Sequence, residues 1–241
     1  MKVAICFMGL SDSRNHNGHK ISFNESYTYL KNHLKNHDFD IYFHTWESND
    51  QNHEIQKTNL LSILKPKSYL IQKPMFTNLP SIQFRIKSRW FSQQKVIQLY
   101  ESYSKENNIE YDYVLISRFD CSFFNFFEFK DVKKNILYLS KWDYPHFFNG
   151  DLDYWFLGGP KIINQIKDIY SSLDKNFFKK RIFSNHIILR KYLLEKNIAT
   201  RYVLKEHDDF KLTSRQYSKR TWYIKIVSYI VFVKEFINDR R

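Results

Sequence analysis

Short apolar runs recur along this chain, and each stops at a polar cluster. Residues 3–8 are apolar throughout, then Gly9, Leu10, Ser11, Asp12, Ser13 and Arg14 open a polar loop to Lys20. A continuous apolar run of that length predicts a strand buried on both faces, as in a parallel sheet covered by helices. Tyr27, Leu30 and Leu34 recur at helical spacing and predict a helix over 25–37. Residues 38–46 predict a second strand with Ile41 and Phe43 in its core, leaving through His44, Thr45, Trp46 and Glu47. Residues 49–57 are polar and predict a loop. Residues 60–64 predict a short helix stopped by Pro66, and 68–72 a third strand. Residues 82–107 predict one long helix, with Ile86, Trp90, Val96, Ile97 and Tyr100 inward. Arg85, Lys87, Arg89 and Lys95 make its first half basic; that face either meets an anionic cleft or is solvated.

Residues 111–124 show the sharpest change of character. Val114-Leu115-Ile116 predicts a fourth strand, and Ser117, Arg118 and Asp120 follow at once. In open α/β sheets, ligands bind outside the carboxyl ends of strands. A carboxylate there can hold a metal, orient a hydroxyl or act as a base; Arg118 and Asp120 can equally cap a strand as an ion pair. The aromatic stretch 123–129 reads as a loop over the sheet, and 136–139 as a strand. Asn149-Gly150-Asp151-Leu152-Asp153 precedes an aromatic strand, then Gly158-Gly159-Pro160 and a helix over 161–173. Asp151 and Asp153 are either paired catalytic carboxylates or a turn whose side chains bond their own backbone. A helix over 185–196 and a strand over 198–204 follow. That strand exits through Glu206, His207, Asp208 and Asp209, a potential metal corner or a charged loop.

Strands alternating with helices predict an α/β fold, a mainly parallel central sheet flanked by helices, over residues 1–210. Residues 211–241 predict a basic and aromatic C-terminal helical tail. Its apolar part, 222–237, is interrupted by Lys225, Lys234 and Glu235, and Arg215, Lys219 and Arg220 precede it. A membrane span needs about 20 apolar residues, and a central charge costs about 2.5–3.5 kcal/mol. The tail therefore reads as a helix in a membrane interface, or as one packed on the domain.

Composition narrows the class. Hydrophobic residues at 43% and aromatics at 18%, with only 5 Gly and 5 Pro, exclude a disordered or low-complexity chain. The net charge of +13 suits nucleic acid, anionic lipid or a phosphate-bearing substrate. The charge is spread along the chain and no nucleic-acid-binding motif is present, which disfavours the first. Cys6 and Cys121, the only cysteines, fall in or beside apolar strands and read as buried thiols of a reducing compartment. The N-terminal apolar run is brief and no small-residue cleavage site follows, so it predicts a strand and not a signal peptide. A cytoplasmic location follows, with the tail offering attachment at the inner face of the membrane. There is no Gly-x-Gly-x-x-Gly, Walker A loop, Cys-x-x-Cys or Gly-x-Ser-x-Gly.

Three segments carry a family resemblance: Ala4-Ile5-Cys6-Phe7-Met8-Gly9-Leu10-Ser11, Asp40-Ile41-Tyr42-Phe43-His44-Thr45-Trp46 and Tyr111-Asp112-Tyr113-Val114-Leu115-Ile116-Ser117-Arg118-Phe119-Asp120. With the segment 150–160 and the helix 185–196 in order, the chain resembles GT-A-fold nucleotide-sugar glycosyltransferases, especially small transferases of bacterial surface-polysaccharide loci and large viruses. The resemblance implies a sugar-nucleotide donor at the ends of the first strands, met by Gly9, Ser11, Arg14, His44, Trp46, Arg118 and Asp120. It implies a glycan or lipid-linked acceptor. It also implies Mn²⁺ or Mg²⁺ on an Asp-x-Asp carboxylate, here Asp120, with His207 as a further ligand. Arg118-Phe119-Asp120 departs from that pattern, because a cation replaces one carboxylate. Asp153, with Asp151 as the alternative, would deprotonate the acceptor. Two other classes stay open: a basic nucleic-acid-binding protein and a membrane-surface adaptor without catalysis.

Overall fold

The computed structural model describes residues 1–11, 21, 23–47, 53–76, 78–126, 128–141 and 150–214. Arg14 and the predicted tail from 215 onward lie outside the described residues.

The central sheet has seven strands, in the order β3-β2-β1-β4-β7-β6-β8. These are β1 (Lys2–Gly9), β2 (Asp38–Trp46), β3 (Ser68–Gln72), β4 (Tyr113–Arg118), β6 (Leu137–Lys141), β7 (Trp155–Gly158) and β8 (Thr200–Lys205). Only β7 is reversed: it pairs antiparallel with both β4 and β6, and every other pairing is parallel. The α/β class and the mainly parallel sheet flanked by helices are therefore observed.

Helices cover both faces. They are α1 (Phe23–His33), α2 (His53–Leu64), α3 (Ser81–Glu106), α4 (Pro160–Gln165), α5 (Ile169–Ser172) and α6 (Asn185–Glu195). Alternate residues of β1 feed two separate cores. Ala4, Cys6 and Met8 pack with Trp90, Val96 and Ile97 of α3 and Ile188 and Leu189 of α6. Val3, Ile5 and Phe7 pack with Phe23 and Leu30 of α1 and Leu60 and Leu64 of α2. A strand buried on both faces has no polar position to spare, hence the unbroken apolar run. Cys6 and Cys121 are both buried free thiols.

Four expectations are corrected. Helix α2 begins at His53, inside the polar stretch expected to be a loop. The aromatic stretch expected as a loop over 123–129 is largely one, but its first residue closes a strand: β5 (Cys121–Phe123) pairs antiparallel with β9 (Phe210–Leu212) in a second, two-stranded sheet. Phe123 and Phe210 are fully buried by that pairing. The helix expected over 161–173 is two, α4 and α5. The carbonyls of Gln165, Ile166 and Lys167 accept hydrogen bonds from Tyr192, Gln93 and Gln94, so the helical ladder is broken there. Finally, Arg118 is the last residue of β4 and not the start of a loop. Strand β9 spans the division expected at 210/211. Among the described residues no helix is long and apolar enough to cross a membrane.

Candidate active site

The strand order creates the site. From β1 the sheet grows one way through β2 and β3, and the other way to β4. The carboxyl ends of β1 and β4 therefore flank a topological switch point, where open α/β sheets bind ligands. Met8 pairs with Arg118, placing Gly9 and Arg118 side by side at that crevice. Gly9 has φ +96°, a left-handed conformation that glycine adopts freely, and a Cβ placed on it would meet nothing within 4 Å.

Helix α3 locks the β1 and β2 ends together. Gly9 N donates to Ser92 Oγ at 2.8 Å, and Ser92 Oγ lies 2.8 Å from His44 Nδ1. Ser92 Oγ thus accepts from Gly9 N and meets His44 at both Nδ1 and, at 3.4 Å, its carbonyl oxygen. His44 Nε2 is buried and makes no well-formed hydrogen bond among the described residues. Burial pushes the His44 pKa down to about 4, with nearby Lys95 adding to it and a contact with the Gln72 side chain opposing it. His44 is therefore neutral at working pH. Thr45 Oγ1 donates to Ser11 Oγ at 3.2 Å. Trp46 stacks on Phe91, with centroids 5.5 Å apart, so one face of its indole is already taken.

Reversal of β7 brings in the other half of the site. Trp155 pairs with Ser117, so the segment leading into β7 arrives where β4 ends. Arg118 N donates to the Tyr154 carbonyl at 3.1 Å. The Arg118 guanidinium grips Asp120 through Nε and Nη2, each at 2.7 Å, and Ser214 Oγ donates to the same carboxylate. Burial alone would raise the Asp120 pKa, but Arg118 and Ser214 outweigh it and hold the group below the usual carboxylate range. Arg118 is likewise held charged against its own desolvation.

A second cation reaches in from α3. Arg89 Nε donates to Asp153 Oδ2 at 3.0 Å, and Nη2 to the Asp153 carbonyl at 2.5 Å. Gln93 Oε1 takes Nη1 at 3.1 Å, and the guanidinium lies 4.6 Å above the Trp90 indole. Burial lowers the Arg89 pKa to about 10, which leaves it charged at neutral pH. On its other side Asp153 meets His186 Nδ1 at 3.1 Å, and that nitrogen also lies 3.0 Å from the Asp151 carbonyl. With two acceptors facing it, Nδ1 carries a hydrogen. Burial works against ionised Asp153, but His186 and Arg89 prevail and hold its carboxyl far below the usual range.

Asp151 differs. Tyr202 donates to it at 2.9 Å and Arg190 Nη1 stands at 3.4 Å. Burial dominates and pushes its pKa up. Two carboxylates two residues apart are thus tuned in opposite directions.

Of the expected site residues, Gly9, Ser11, His44 and Trp46 gather around the ends of β1 and β2, Arg118, Asp120 and Asp153 around the end of β4, and Asp151 stands apart against α6 and β8. Arg14 lies outside the described residues. Asp120, expected to hold a metal, is instead occupied by Arg118 and Ser214. A divalent ion on that carboxylate would sit a few ångström from the guanidinium and be repelled by it. Among the described residues, no three His, Cys, Asp or Glu side chains, His207 and Asp120 included, are grouped to hold a metal ion. The described donor set therefore does not fit one. Sequence reasoning missed Ser92, Gln93, His186, Arg190, Tyr202 and Ser214 as site residues. Arg89 was visible only as one member of a basic helix face.

No protein-family model and no curated protein matches the sequence. Among solved structures, the chain is similar to the nucleoside-diphosphate-sugar pyrophosphorylase from Vibrio cholerae RC9, at 10% identity and a TM-score of 0.47, over 89% of this chain and 96% of that one. A likeness that remote says nothing about the reaction.

Proposed function

We propose that this chain is a nucleotide-sugar-dependent glycosyltransferase, whose donor binds at the β1–β4 switch point beside Gly9, Ser11, His44, Trp46 and Arg118. The observation that carries the reading is the placement of an oriented, partly exposed Arg118 next to the open space at Gly9. A guanidinium at the carboxyl end of a strand suits a phosphate-bearing ligand. The acceptor, a glycan or lipid-linked sugar, belongs on the β7–β8 side, near Asp151, Arg190 and Tyr202. In the transfer step the acceptor hydroxyl oxygen bonds to the anomeric carbon. The bond from that carbon to the diphosphate breaks, and the diphosphate leaves with the electron pair. Of the two carboxylates, Asp151 suits the departing proton better, because its proton affinity is raised and that of Asp153 is suppressed. Asp153 holds Arg89 and His186 in place. Use in surface-polysaccharide synthesis, with the tail at an anionic membrane surface, belongs to the same proposal.

The test is a panel of sugar nucleotides followed by thermal shift and by release of nucleoside diphosphate. Stabilisation by at least one donor, and its turnover on adding acceptor, is expected. If none of the panel stabilises the protein, the transferase reading fails.

A further inference from the structure

We infer that Arg118, oriented by Asp120, binds the donor's diphosphate directly, and that donor binding needs no divalent cation. The inference rests on the donor site proposed above and deepens it.

The guanidinium has two hydrogen-bonding edges. Nε and Nη2 on one edge are spent on Asp120, both at 2.7 Å. Among the described residues Nη1 has no hydrogen-bond partner, and the side chain is 30% exposed. The second edge therefore has donors to spare on a partly exposed side chain, in the fork geometry that phosphate oxygens accept in pairs. Asp120 is 2% exposed and satisfied by Arg118 and Ser214 together, so its charge is shared between two donors. A buried carboxylate so placed fixes the direction of the guanidinium, and both of its oxygens already accept hydrogen bonds. Tyr154 adds a third restraint, its ring lying 5.6 Å from the guanidinium carbon and its carbonyl accepting the Arg118 N–H. The cation is thus oriented by Asp120 and Tyr154 and remains partly exposed. Asp120 is accordingly a positioning residue and Arg118 the group that touches the ligand.

Calorimetric binding of uridine, guanosine, cytidine, adenosine and thymidine diphosphates to the full chain decides the matter, in EDTA and then in Mn²⁺ or Mg²⁺. At least one nucleotide is expected to bind in EDTA within about threefold of its affinity with Mn²⁺. An affinity about tenfold or more weaker in EDTA overturns the inference and leaves the donor site standing. Binding of none of them under any condition overturns both. Because Arg118→Gln alone strands a buried Asp120, the pair Arg118→Gln/Asp120→Asn is the better variant. It should lose about tenfold or more in diphosphate affinity, the range for a charge-assisted contact, and unchanged affinity refutes the role of Arg118. Asp120→Asn alone should alter affinity equally in EDTA and in Mn²⁺. A loss seen only with Mn²⁺ would make it a metal ligand and sink the proposal.

Discussion

Asp151 and Asp153 show how much one residue's surroundings decide. Both are buried, yet the carboxyl of Asp153 is ionised by two partners while that of Asp151 is pushed toward its neutral form by desolvation. The consequence for stability has opposite signs. Asp153 titrates lower in the folded chain than in the unfolded one, so its ionised form stabilises the fold above about pH 4. That contribution is lost as pH falls through the folded value, and Asp120 adds to the same loss. Asp151 titrates higher when folded, so its contribution is present at low pH and fades as pH rises. Urea melts across pH are expected to show a loss below about pH 4 that Asp153→Asn makes smaller, the remainder belonging to Asp120 and other depressed carboxylates. At neutral pH that variant should cost about 3–5 kcal/mol, because it leaves Arg89 buried and unpaired. Asp151→Asn keeps an acceptor for Tyr202 and should cost under about 1 kcal/mol while abolishing sugar transfer. If Asp151→Asn retained wild-type turnover, its assignment as the base would fail. Gly150 supports both carboxylates by proximity. A Cβ there would lie 2.8 Å from His186 Cβ and 2.9 Å from the His186 carbonyl carbon, so helix α6 would have to move. Gly150→Ala should therefore destabilise by about 1–3 kcal/mol in the same melts, and a neutral result would show that the contact relaxes freely.

Elements differ in how far the sequence announces them. Strands β2 and β3 are legible to the residue, because apolar runs bounded by polar or proline-containing segments leave few alternatives. The reversal of β7 is not legible, since an apolar run reads the same in either direction. Nor is the break between α4 and α5, because the side chains that take its carbonyls come from α3 and α6. Strands β5 and β9 are three residues each and gain their identity only from one another. The site inherits this division. Arg118 and Asp120 lie two positions apart in sequence and stand out there, whereas the meeting of Arg89, Asp153 and His186 depends on β7 running backward. Helix α3 joins the two halves, with Ser92 holding β1 and β2 and Arg89 holding the segment before β7. Ser92→Ala would leave the Gly9 N–H and His44 Nδ1 unsatisfied. It is expected to cost about 1–3 kcal/mol and to weaken donor binding, since Gly9 lines the donor side. Denaturation alongside nucleotide calorimetry checks both; a variant as stable as wild type would show that water replaces the hydroxyl.

At the scale of the whole molecule, the chain closes on itself through its last described strand. Strand β9 pairs with β5 across 87 to 91 residues of sequence, yet it finishes the surroundings of Asp120. Thr213 N donates to the Asp120 carbonyl at 2.8 Å, and Ser214 to its carboxylate. Phe210 stands edge-on to Trp155 and packs against Phe123, which ties the small sheet to the central one. The folded domain therefore needs residues past 210, whatever the role of the tail beyond 214. Two truncations separate these contributions. A chain ending at Ser214 keeps every contact just named and should melt cooperatively and bind donor. A chain ending at Asp209 loses β9, exposes Phe123 and strips two donors from Asp120. It should unfold at a temperature lower by about 4 °C or more, since a loss of even 2 kcal/mol moves the midpoint of a domain of this size that far. Equal melting of the two would refute the role given to β9. The same pair tests the tail, because full-length protein should sediment with anionic vesicles and the chain ending at Ser214 should not. Equal sedimentation of the two would assign membrane affinity to the basic surface of the domain and not to its tail.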